Sequence, residues 1–208
     1  MKYAIIGNFE TCALLSEKSD VIWMCIPYFH SPSIFGYLLD RRAGGIFVDL
    51  KPEYSAKREY MENSAVLSTQ FFSDEGFLRS IDYMVPYGKE YKKIINGDLK
   101  FKLTIEPVFN YGKIRERPFL EKKDVLKYQF SKVSIYPSKK LKIKDFSLVY
   151  KGKPPFELSL TYQNHMPHKN SLEYTLNFWK RWTSFIRPIK RFSNDYIRSL
   201  IILRLLTH

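Results

Sequence analysis

Strict alternation of polar and apolar side chains marks the stretch Lys100-Phe101-Lys102-Leu103-Thr104-Ile105. Because successive side chains of a strand point to opposite faces, the three apolar residues share one face and the three polar residues share the other. This pattern is typical of an antiparallel sheet that has one face on a core and one face in water. The stretch therefore predicts a strand of a half-buried antiparallel sheet.

Similar short apolar segments recur from Ile46 to about Tyr162, and turn sequences such as Asn96-Gly97-Asp98 separate them. The predicted strands include residues 65–72, 77–85, 100–109, 125–131, 141–150 and 156–162. The sequence has no strand–helix–strand alternation, which argues against a parallel dinucleotide-binding fold. We therefore predict a mainly β protein, with an antiparallel β-sandwich domain over residues 1–165.

The first 40 residues predict a hairpin followed by a short helix. Two apolar segments, Cys12–Leu15 and Val21–Ile26, flank Ser16–Asp20, whose residues are typical of turns. Ser31 is a suitable N-cap for the next segment, Pro32 fits a first helical turn, and apolar residues then follow at helical spacing. The pattern predicts a helix that ends at about Asp40.

The last part of the chain, residues 166–208, predicts a linker and two helices. Ser171 is the predicted cap of the first helix, whose apolar residues are Leu172, Leu176, Trp179, Trp182 and Ile186. The second begins at about Asn194 and carries Ile197, Leu200, Ile201, Leu203, Leu205 and Leu206. A helix that is apolar on nearly every face is normally buried all round. We expect this helix to dock on the sandwich, to self-associate, or to pack against helices outside this chain.

The formal net charge of +13 comes from 34 basic and 21 acidic residues spread along the chain. The densest group of lysines surrounds the apolar run Phe146–Tyr150, which predicts a strand edge protected by charge: Lys139, Lys140, Lys142, Lys144, Lys151 and Lys153. The sequence lacks a helix-turn-helix, a zinc-finger spacing and an RNP-type aromatic motif. Charge alone therefore does not predict a nucleic-acid partner.

The cysteine and histidine content predicts no metal site and no cofactor. Cys12 and Cys25 flank the predicted hairpin, where they either lie opposite each other or pack as two small buried thiols. The four histidines, His30, His165, His168 and His208, do not cluster with them at the spacing of a zinc site.

Targeting signals are also missing from the sequence. The apolar stretch at Tyr3–Gly7 is shorter than a signal-peptide core. No window approaches the roughly 20 apolar residues that a membrane-spanning helix needs. We expect a cytoplasmic protein with no membrane partner.

Single carboxylates do not identify a catalytic centre in a chain with 21 acidic residues. A catalytic carboxyl group usually lies in an environment that shifts its pKa toward the working pH. Asp40, Asp49, Asp82 and Glu106 lie near strand ends and loops, where caps and solvated charges are the norm. The sequence also has no nucleophile-elbow or Cys/His signature. We therefore predict no catalytic residue and expect no hydrolysis by the chain alone.

An ordered run of motifs resembles the glucoamylase/trehalase-like glycoside hydrolases of bacteria and archaea. The run begins with residues 6–15, Ile-Gly-Asn-Phe-Glu-Thr-Cys-Ala-Leu-Leu, and continues through residues 21–27, 31–40, 59–67, 72–86, 106–112, 179–182 and 196–207. Each motif is weak by itself, but their order spans nearly the whole chain. The chain departs from the family pattern at Tyr28 and His30, where Arg and Asp are usual, and at Asn110, where Asp is common.

The resemblance implies a β-supersandwich followed by a toroid of six helix pairs, of which the two C-terminal helices are the start. It implies that the catalytic carboxylates lie on the toroid, beyond the position of His208, and that the chain is truncated before them. It also implies trehalose or other α-linked glucosides as substrates, hydrolysed with inversion. The chain is then the non-catalytic N-terminal part that packs on, or pairs with, a helical catalytic domain. Residues expected at this domain interface are Trp179, Trp182, Ile197, Leu200, Ile201 and Leu205.

A second hypothesis is a stand-alone carbohydrate-binding or protein-interaction module. Aromatic side chains stack on sugar faces, and the first candidates here are Trp23, Tyr28 and Phe29. Because aromatic residues dominate protein cores, Trp23 is also expected as a core residue. The two hypotheses differ in whether the chain binds a glucoside by itself.

Overall fold

A computed structural model describes residues 3–122, 124–187 and 193–207. Sixteen strands and three helices lie in these residues. The strands are β1 (Ala4–Gly7), β2 (Cys12–Leu15), β3 (Val21–Cys25), β4 (Ser33–Phe35), β5 (Gly45–Leu50), β6 (Ser55–Tyr60), β7 (Leu67–Ser73), β8 (Gly76–Met84), β9 (Glu90–Gly97), β10 (Phe101–Glu106), β11 (Phe119–Leu120), β12 (Leu126–Tyr128), β13 (Val133–Pro137), β14 (Lys142–Lys144), β15 (Ser147–Gly152) and β16 (Phe156–Tyr162). The helices are α1 (Phe109–Gly112), α2 (Ser171–Thr183) and α3 (Ser193–Leu205).

The strands form two antiparallel sheets that pack face to face. Sheet A has the order β1-β2-β3-β5-β10-β15-β14, with β4 paired to β3, and sheet B has the order β11-β12-β13-β16-β9-β8-β7-β6. The predicted mainly β fold is therefore confirmed, with two helices after the sheets. In β10, Phe101, Leu103 and Ile105 are buried and the intervening polar residues are partly exposed, as the alternation predicts.

One large apolar core fills the space between the sheets. It includes Ile6, Met24 and Leu103 from sheet A, and Tyr91 and Leu158 from sheet B. Two smaller clusters connect the sandwich to the C-terminal helices. The first contains Phe9, Ala65, Trp179, Ile201 and Leu205, and the second contains Val66, Ile81, Tyr83 and Val85, with Leu172 and Leu176 packed on it.

The helix predicted from Ser31 to Asp40 is wrong. Ser33–Phe35 forms strand β4, which pairs with β3 at Met24–Phe35. The Ser31 hydroxyl accepts a hydrogen bond from the Tyr28 N–H instead of capping a helix. Successive residues of a strand point to opposite faces, and both Ile34 and Phe35 are buried, so β4 is covered on both faces. This tertiary packing outweighs the local signal for a helix cap.

The C-terminal helices lie close to their predicted positions. Helix α2 begins at Ser171, but its N-cap is Asn170, which adopts a left-handed conformation with φ 52°. The Ser171 hydroxyl instead lies 2.9 Å from the hydroxyl of Tyr83 and connects the helix to β8. The helix ends at Thr183, so Ile186 follows it. Residues 188–192 and 208 of the predicted C-terminal segment lie outside the described residues.

The lysine-rich patch lies at a sheet edge, but the apolar run that it was predicted to protect is not the edge strand. Residues 147–150 of the run Phe146–Tyr150 belong to β15, which pairs with both β10 and β14. Strand β14 is the last strand of sheet A, and its residues Lys142, Ile143 and Lys144 are exposed. A free strand edge offers unpaired backbone N–H and C=O groups to other chains, and charged side chains oppose that pairing.

Candidate functional site

Two of the three aromatic residues considered for sugar binding lie together on the loop between β3 and β4. The Tyr28 and Phe29 side chains are 38% and 37% exposed. The Tyr28 ring stacks on the His30 ring at a centroid distance of 5.5 Å and an interplanar angle of 12°. The Phe29 N–H donates to the Glu10 carbonyl at 2.9 Å, which holds this loop against the turn between β1 and β2. The result is a small aromatic surface that faces water.

Trp23 lies apart from that loop surface. It is partly buried in the middle of β3, opposite Leu14 of β2. Trp23 is absent from the apolar clusters that the described residues form, so it lies outside the sandwich core in this part of the chain. The structure describes no ring contact between Trp23 and Tyr28 or Phe29.

A buried polar residue, Asn8, lies in the same turn that the aromatic loop contacts through Glu10. Asn8 is fully buried, and its side-chain amide donates to the Gly88 carbonyl at 2.5 Å and to the Tyr162 hydroxyl at 3.0 Å. Burial raises the pKa of Tyr162 well above its usual range, and the nearby groups Glu10 and Tyr28 raise it further. Asn8 thereby joins the turn after β1 to Gly88 and to the end of β16.

The residues predicted at a domain interface lie where the C-terminal helices meet the sandwich. Trp179 is fully buried, and its ring lies 5.8 Å from that of Phe9 and 5.7 Å from that of Trp182. Ile201 and Leu205 are buried in the same cluster. Ile197 packs on the cluster and is partly buried, while Leu200 is partly exposed.

Two arginines of α3 stack on aromatic rings of the sandwich. The Arg198 guanidinium lies 3.4 Å from the centre of the Tyr60 ring, and its Nη1 donates to the Ser64 carbonyl at 2.8 Å. The Arg204 guanidinium lies 4.4 Å from the centre of the Phe9 ring. Cation–π contacts of this kind contribute about 0.5–2 kcal/mol each, according to how far they are removed from water. They fix the orientation of α3 on the sandwich.

The opposite side of the helices stays exposed to solvent. Leu203 is 60% exposed and Leu206 is 46% exposed, while Ile201 and Leu205 on the other side of α3 are buried. Phe185, just after α2, is 78% exposed. Docking on the sandwich therefore accounts for one side of α3. The exposed apolar side chains of the C-terminal segment, Phe185, Leu203 and Leu206, are here together called the outer helix surface.

A buried charged cluster connects the two sheets, and the sequence analysis missed it. Lys93 Nζ lies 2.9 Å from Asp82 Oδ1, and both side chains are fully buried. Lys93 also donates to the Ser19 carbonyl and to the hydroxyls of Ser19 and Ser80. The Tyr91 hydroxyl donates to Asp82 Oδ1 at 2.6 Å, and burial, with Asp82 beside it, holds the pKa of Tyr91 far above its usual range. The expectation that Asp82 is a cap or a solvated charge is wrong.

Comparison with known proteins identifies the family. A family model described as trehalase-like, N-terminal matches residues 1–133. This chain belongs to that family. Trehalase 1 of Sulfolobus acidocaldarius is 30% identical over 189 residues, which cover 84% of this chain and 33% of the relative. Trehalase 2 of the same organism is 34% identical over 113 residues, covering 54% of this chain and 19% of the relative.

A further relative is also much longer than this chain. The trehalase of Thermoplasma volcanium is 25% identical over 232 residues, which cover 98% of this chain and 37% of the relative. The chain thus spans between about a fifth and somewhat over a third of the length of these trehalases. A putative kojibiose phosphorylase from human microbiome aligns with 96% of this chain and 35% of its own, at a TM-score of 0.41 and 9% identity. A similarity at that level adds nothing to the assignment.

In this trehalase-like N-terminal domain, three of the carboxylates near strand ends and loops are held by cations. Asp40 pairs with Arg42 at 3.0 Å, and hydrogen bonds from Arg42 lower the pKa of that carboxyl. Asp49 pairs with Lys102 at 3.0 Å. Glu106 pairs with Arg115 at 2.6 Å. The pairing with Arg42 favours the charged form of Asp40 and opposes the raised pKa that a general acid needs.

Neither a metal centre nor a membrane-spanning helix occurs in the described part of the chain. Within the ranges that the structure describes, no group of three or more His, Cys, Asp or Glu side chains could hold a metal ion. Over those ranges, no helix has the length and apolar character needed to cross a membrane.

Proposed function

We propose that this chain is the non-catalytic β-sandwich part of a trehalase- or glucoamylase-like glucoside hydrolase, and that it packs on or pairs with a separate helical catalytic domain. The observation that carries this proposal is the outer helix surface. Leu203 and Leu206 are exposed on and just after α3, whose other side packs on the sandwich, and Phe185 is exposed just after α2. Burial of apolar area contributes roughly 25 cal/mol per Å², so covering this surface would stabilise a complex.

The lengths of the relatives support the same proposal. The proteins named trehalase exceed the part of them that this chain matches, since 33% of one and 37% of another is covered. Hydrolysis of a glucoside needs an acid and a base on either side of a sugar. The described carboxylates Asp40, Asp49 and Glu106 are instead paired with cations. A catalytic site on the remaining part of such a protein is consistent with both observations.

The interface residues divide into two groups under this proposal. Trp179, Ile201 and Leu205 hold the helices on the sandwich, because they are fully buried within this chain. Trp182 and Leu200 are only partly buried, and Trp182 also packs on the buried cluster. We propose that this second group, together with the outer helix surface, contacts the catalytic domain.

The proposal is tested by purifying the tagged chain from the cells that produce it. We expect it to be obtained with, or covalently continuous with, a helical hydrolase, and the purified assembly should release glucose from trehalose. The chain alone should release none. In the variant Leu203→Glu, a charge on the exposed surface should weaken the association at least about tenfold while the free energy of unfolding stays within about 0.5 kcal/mol.

Leu39→Glu is the matched control, because Leu39 is 76% exposed and lies in the turn after β4, away from the helices. It should leave the association unchanged. Glucose release by the purified 208-residue chain, or a chain that stays monomeric and never meets a helical hydrolase, would contradict the proposal.

A second candidate function is a stand-alone carbohydrate-binding module, and the exposed pair Tyr28 and Phe29 favours it. If this loop stacks on sugars, titration with trehalose or maltose should show saturable binding that Tyr28→Ala abolishes. Trp23→Ala tests separately whether Trp23, the third aromatic residue considered for sugar binding, contributes to that binding. The absence of binding at millimolar sugar would remove this function.

A further inference from the structure

The edges of the two sheets differ in what satisfies their backbone groups and charges. Sheet A ends at β1 and β14, and sheet B ends at β11 and β6. On β1, the Tyr60 hydroxyl bonds both backbone groups of Ile5. On β6, Lys57 Nζ lies 2.9 Å from Glu59 Oε2, so that lysine has its counter-ion in the same strand. Among the described residues, β14 has neither of these features.

The backbone of β14 is open on one side. This strand pairs only with β15, so that residues 142–144 lie opposite residues 147–149. Opposite residues of an antiparallel pair alternate between those that exchange hydrogen bonds and those that do not. Some N–H and C=O groups of β14 therefore point away from β15, and no hydrogen bond to another described segment satisfies them. An added strand could bond these groups.

The lysines of this edge have no counter-ion in the described part of the chain. Residues 139–153 include six lysines and one acidic residue, Asp145. Lys142 and Lys144 are exposed, and neither side chain makes an ion pair or a hydrogen bond with a described residue. Ile143 lies opposite Leu148, which is in the core, so the lysines on either side of it lie on the outer face of sheet A. Their positions are about 7 Å apart along the strand.

An apolar groove of about 430 Å³ lies beside Ile143, between the edges of the two sheets. Ile143 of β14 and Leu120 of β11 line it and are 46% and 56% exposed. Leu126 and Leu141 also line it and are buried. The charged residues of its lining are all exposed: Asp124, Lys140 and Lys142. The buried part of the lining is therefore apolar, and the groove is large enough for an apolar side chain.

We infer that β14 binds an extended peptide segment in which acidic and apolar residues alternate. The side chains of an added strand point alternately to the two faces of the sheet. Residues opposite Lys142 and Lys144 lie beside two ammonium groups, which favours acidic side chains there. The residue opposite Ile143 lies on the side of the groove, which favours an apolar side chain there.

The lysines select among the strands that could pair with this edge. They repel a strand of like charge and attract an acidic one, so the same two residues exclude the wrong partners and favour the right one. The inference does not depend on the proposed function, because none of the described lining residues belongs to the C-terminal helices.

The inference is tested by titrating the purified chain with a capped seven-residue peptide of alternating glutamate and valine, followed by NMR amide shifts. We expect saturable binding with a dissociation constant below about 1 mM at low salt, and the largest shifts in β14. The corresponding peptide of lysine and valine should bind at least about tenfold more weakly. The acidic peptide with N-methylated backbone amides keeps its charges but cannot donate strand hydrogen bonds, so it should also bind at least about tenfold more weakly.

Charge reversal on the edge provides a matched set of variants. Lys142→Glu should weaken binding of the acidic peptide at least about fivefold. Lys57→Glu makes the same change of charge on β6, the free edge of sheet B, and should leave that binding unchanged. The double variant Lys142→Glu with Lys144→Glu should prefer the peptide of lysine and valine. All three side chains are exposed, so the variants should fold, which circular dichroism checks.

Four results would overturn the inference. The first is failure of the wild-type chain to bind the acidic peptide, and the second is equally tight binding of the N-methylated peptide. The third is an equal effect of Lys57→Glu and Lys142→Glu. The fourth is a single-stranded oligonucleotide that displaces the peptide at an equal concentration of charge, because the edge would then select negative charge alone.

Discussion

Lys93 Nζ lies 2.9 Å from Asp82 Oδ1 on the neighbouring strand, and neither side chain has any solvent-exposed surface. Two charges removed from water are tolerated only when their hydrogen-bonding positions are satisfied. Here Ser19, Ser80 and Tyr91 supply those bonds. Because Ser19 lies in the turn between β2 and β3 of sheet A, the cluster fixes how one sheet sits on the other.

Asp82→Ala should therefore destabilise the protein strongly. It leaves the Lys93 ammonium buried and unpaired, and breaking a buried pair costs about 3–5 kcal/mol. Urea unfolding followed by tryptophan fluorescence measures the change. The control is Asp49→Ala, which breaks an exposed pair with Lys102 and should cost no more than about 1 kcal/mol. Equal effects of the two substitutions would contradict a structural role for the buried pair.

Tyr60→Phe should destabilise the protein by about 1–2 kcal/mol. The Tyr60 hydroxyl accepts from the Ile5 N–H at 2.8 Å and donates to the Ile5 carbonyl at 2.9 Å. It thereby satisfies both backbone groups of a residue on β1, the first strand of sheet A. The matched control is Tyr54→Phe, since the structure describes no hydrogen bond for that hydroxyl, and thermal unfolding should then change little.

Trp179→Ala should loosen the C-terminal helices. Trp179 lies in α2, is fully buried, and its ring contacts the ring of Phe9. Removing a large buried aromatic side chain costs about 3–5 kcal/mol. We expect hydrogen exchange to speed up in α2 and α3 more than in the sheets. Phe185→Ala is the control, since that ring is 78% exposed and its loss should change stability by less than about 0.5 kcal/mol. Uniform loss of protection in the sheets would show that the helices do not behave as a separate unit.

Cys12 should react slowly with thiol reagents in the folded protein. Burial, and then the neighbouring Cys25, raises its pKa to about 11. At pH 8 a thiol of that pKa is only about 0.1% thiolate, and the thiolate is the nucleophile. Iodoacetamide labelling should therefore be at least about tenfold slower than in urea. Fast labelling of the native chain at pH 8 would contradict this environment.

The same shift has a consequence for stability. Cys12 stays protonated in the folded state at pH values where the unfolded thiol, with an ordinary pKa near 9.0, loses its proton. The unfolded state then binds fewer protons than the folded state, so the stability that this thiol contributes is complete below about pH 9 and is lost as pH rises toward 11. Cys12→Ser should make the unfolding free energy less dependent on pH across this window.

Much of the sandwich was predictable because its signals are local and periodic. The alternation in residues 100–105 placed Phe101, Leu103 and Ile105 on the buried face of β10 correctly. The lysine clustering correctly placed a sheet edge in this region, but not on the right strand, because only the pairing of β15 with both β10 and β14 shows that β14 is the edge. The segment at Ser31–Asp40 was not, because its caps and spacing match a helix and only the pairing of β4 with β3 decides otherwise.

The buried ion pair could have been found by applying the alternation to charged residues as well. In β9, Tyr91, Lys93 and Ile95 share one side, and all three are buried. In β8, Leu78, Ser80 and Asp82 do the same. The pairing of Asp82 with Lys93 also depends on the register of the β8–β9 hairpin, which alternation alone does not fix.

The charged edge at β14 bears on how the protein behaves at high concentration. If two copies approached each other along this edge, Lys142 and Lys144 of each would come within strand spacing, about 4.8 Å. Their mutual repulsion keeps such edges apart in dilute salt, and it fades as the screening length falls to about 3 Å at 1 M ionic strength. Ile143, which is 46% exposed, is then free to attract its counterpart. Concentrated salt is thus the condition that favours pairing of two copies along β14, and because the same edge is used by both copies, the contact closes at a dimer.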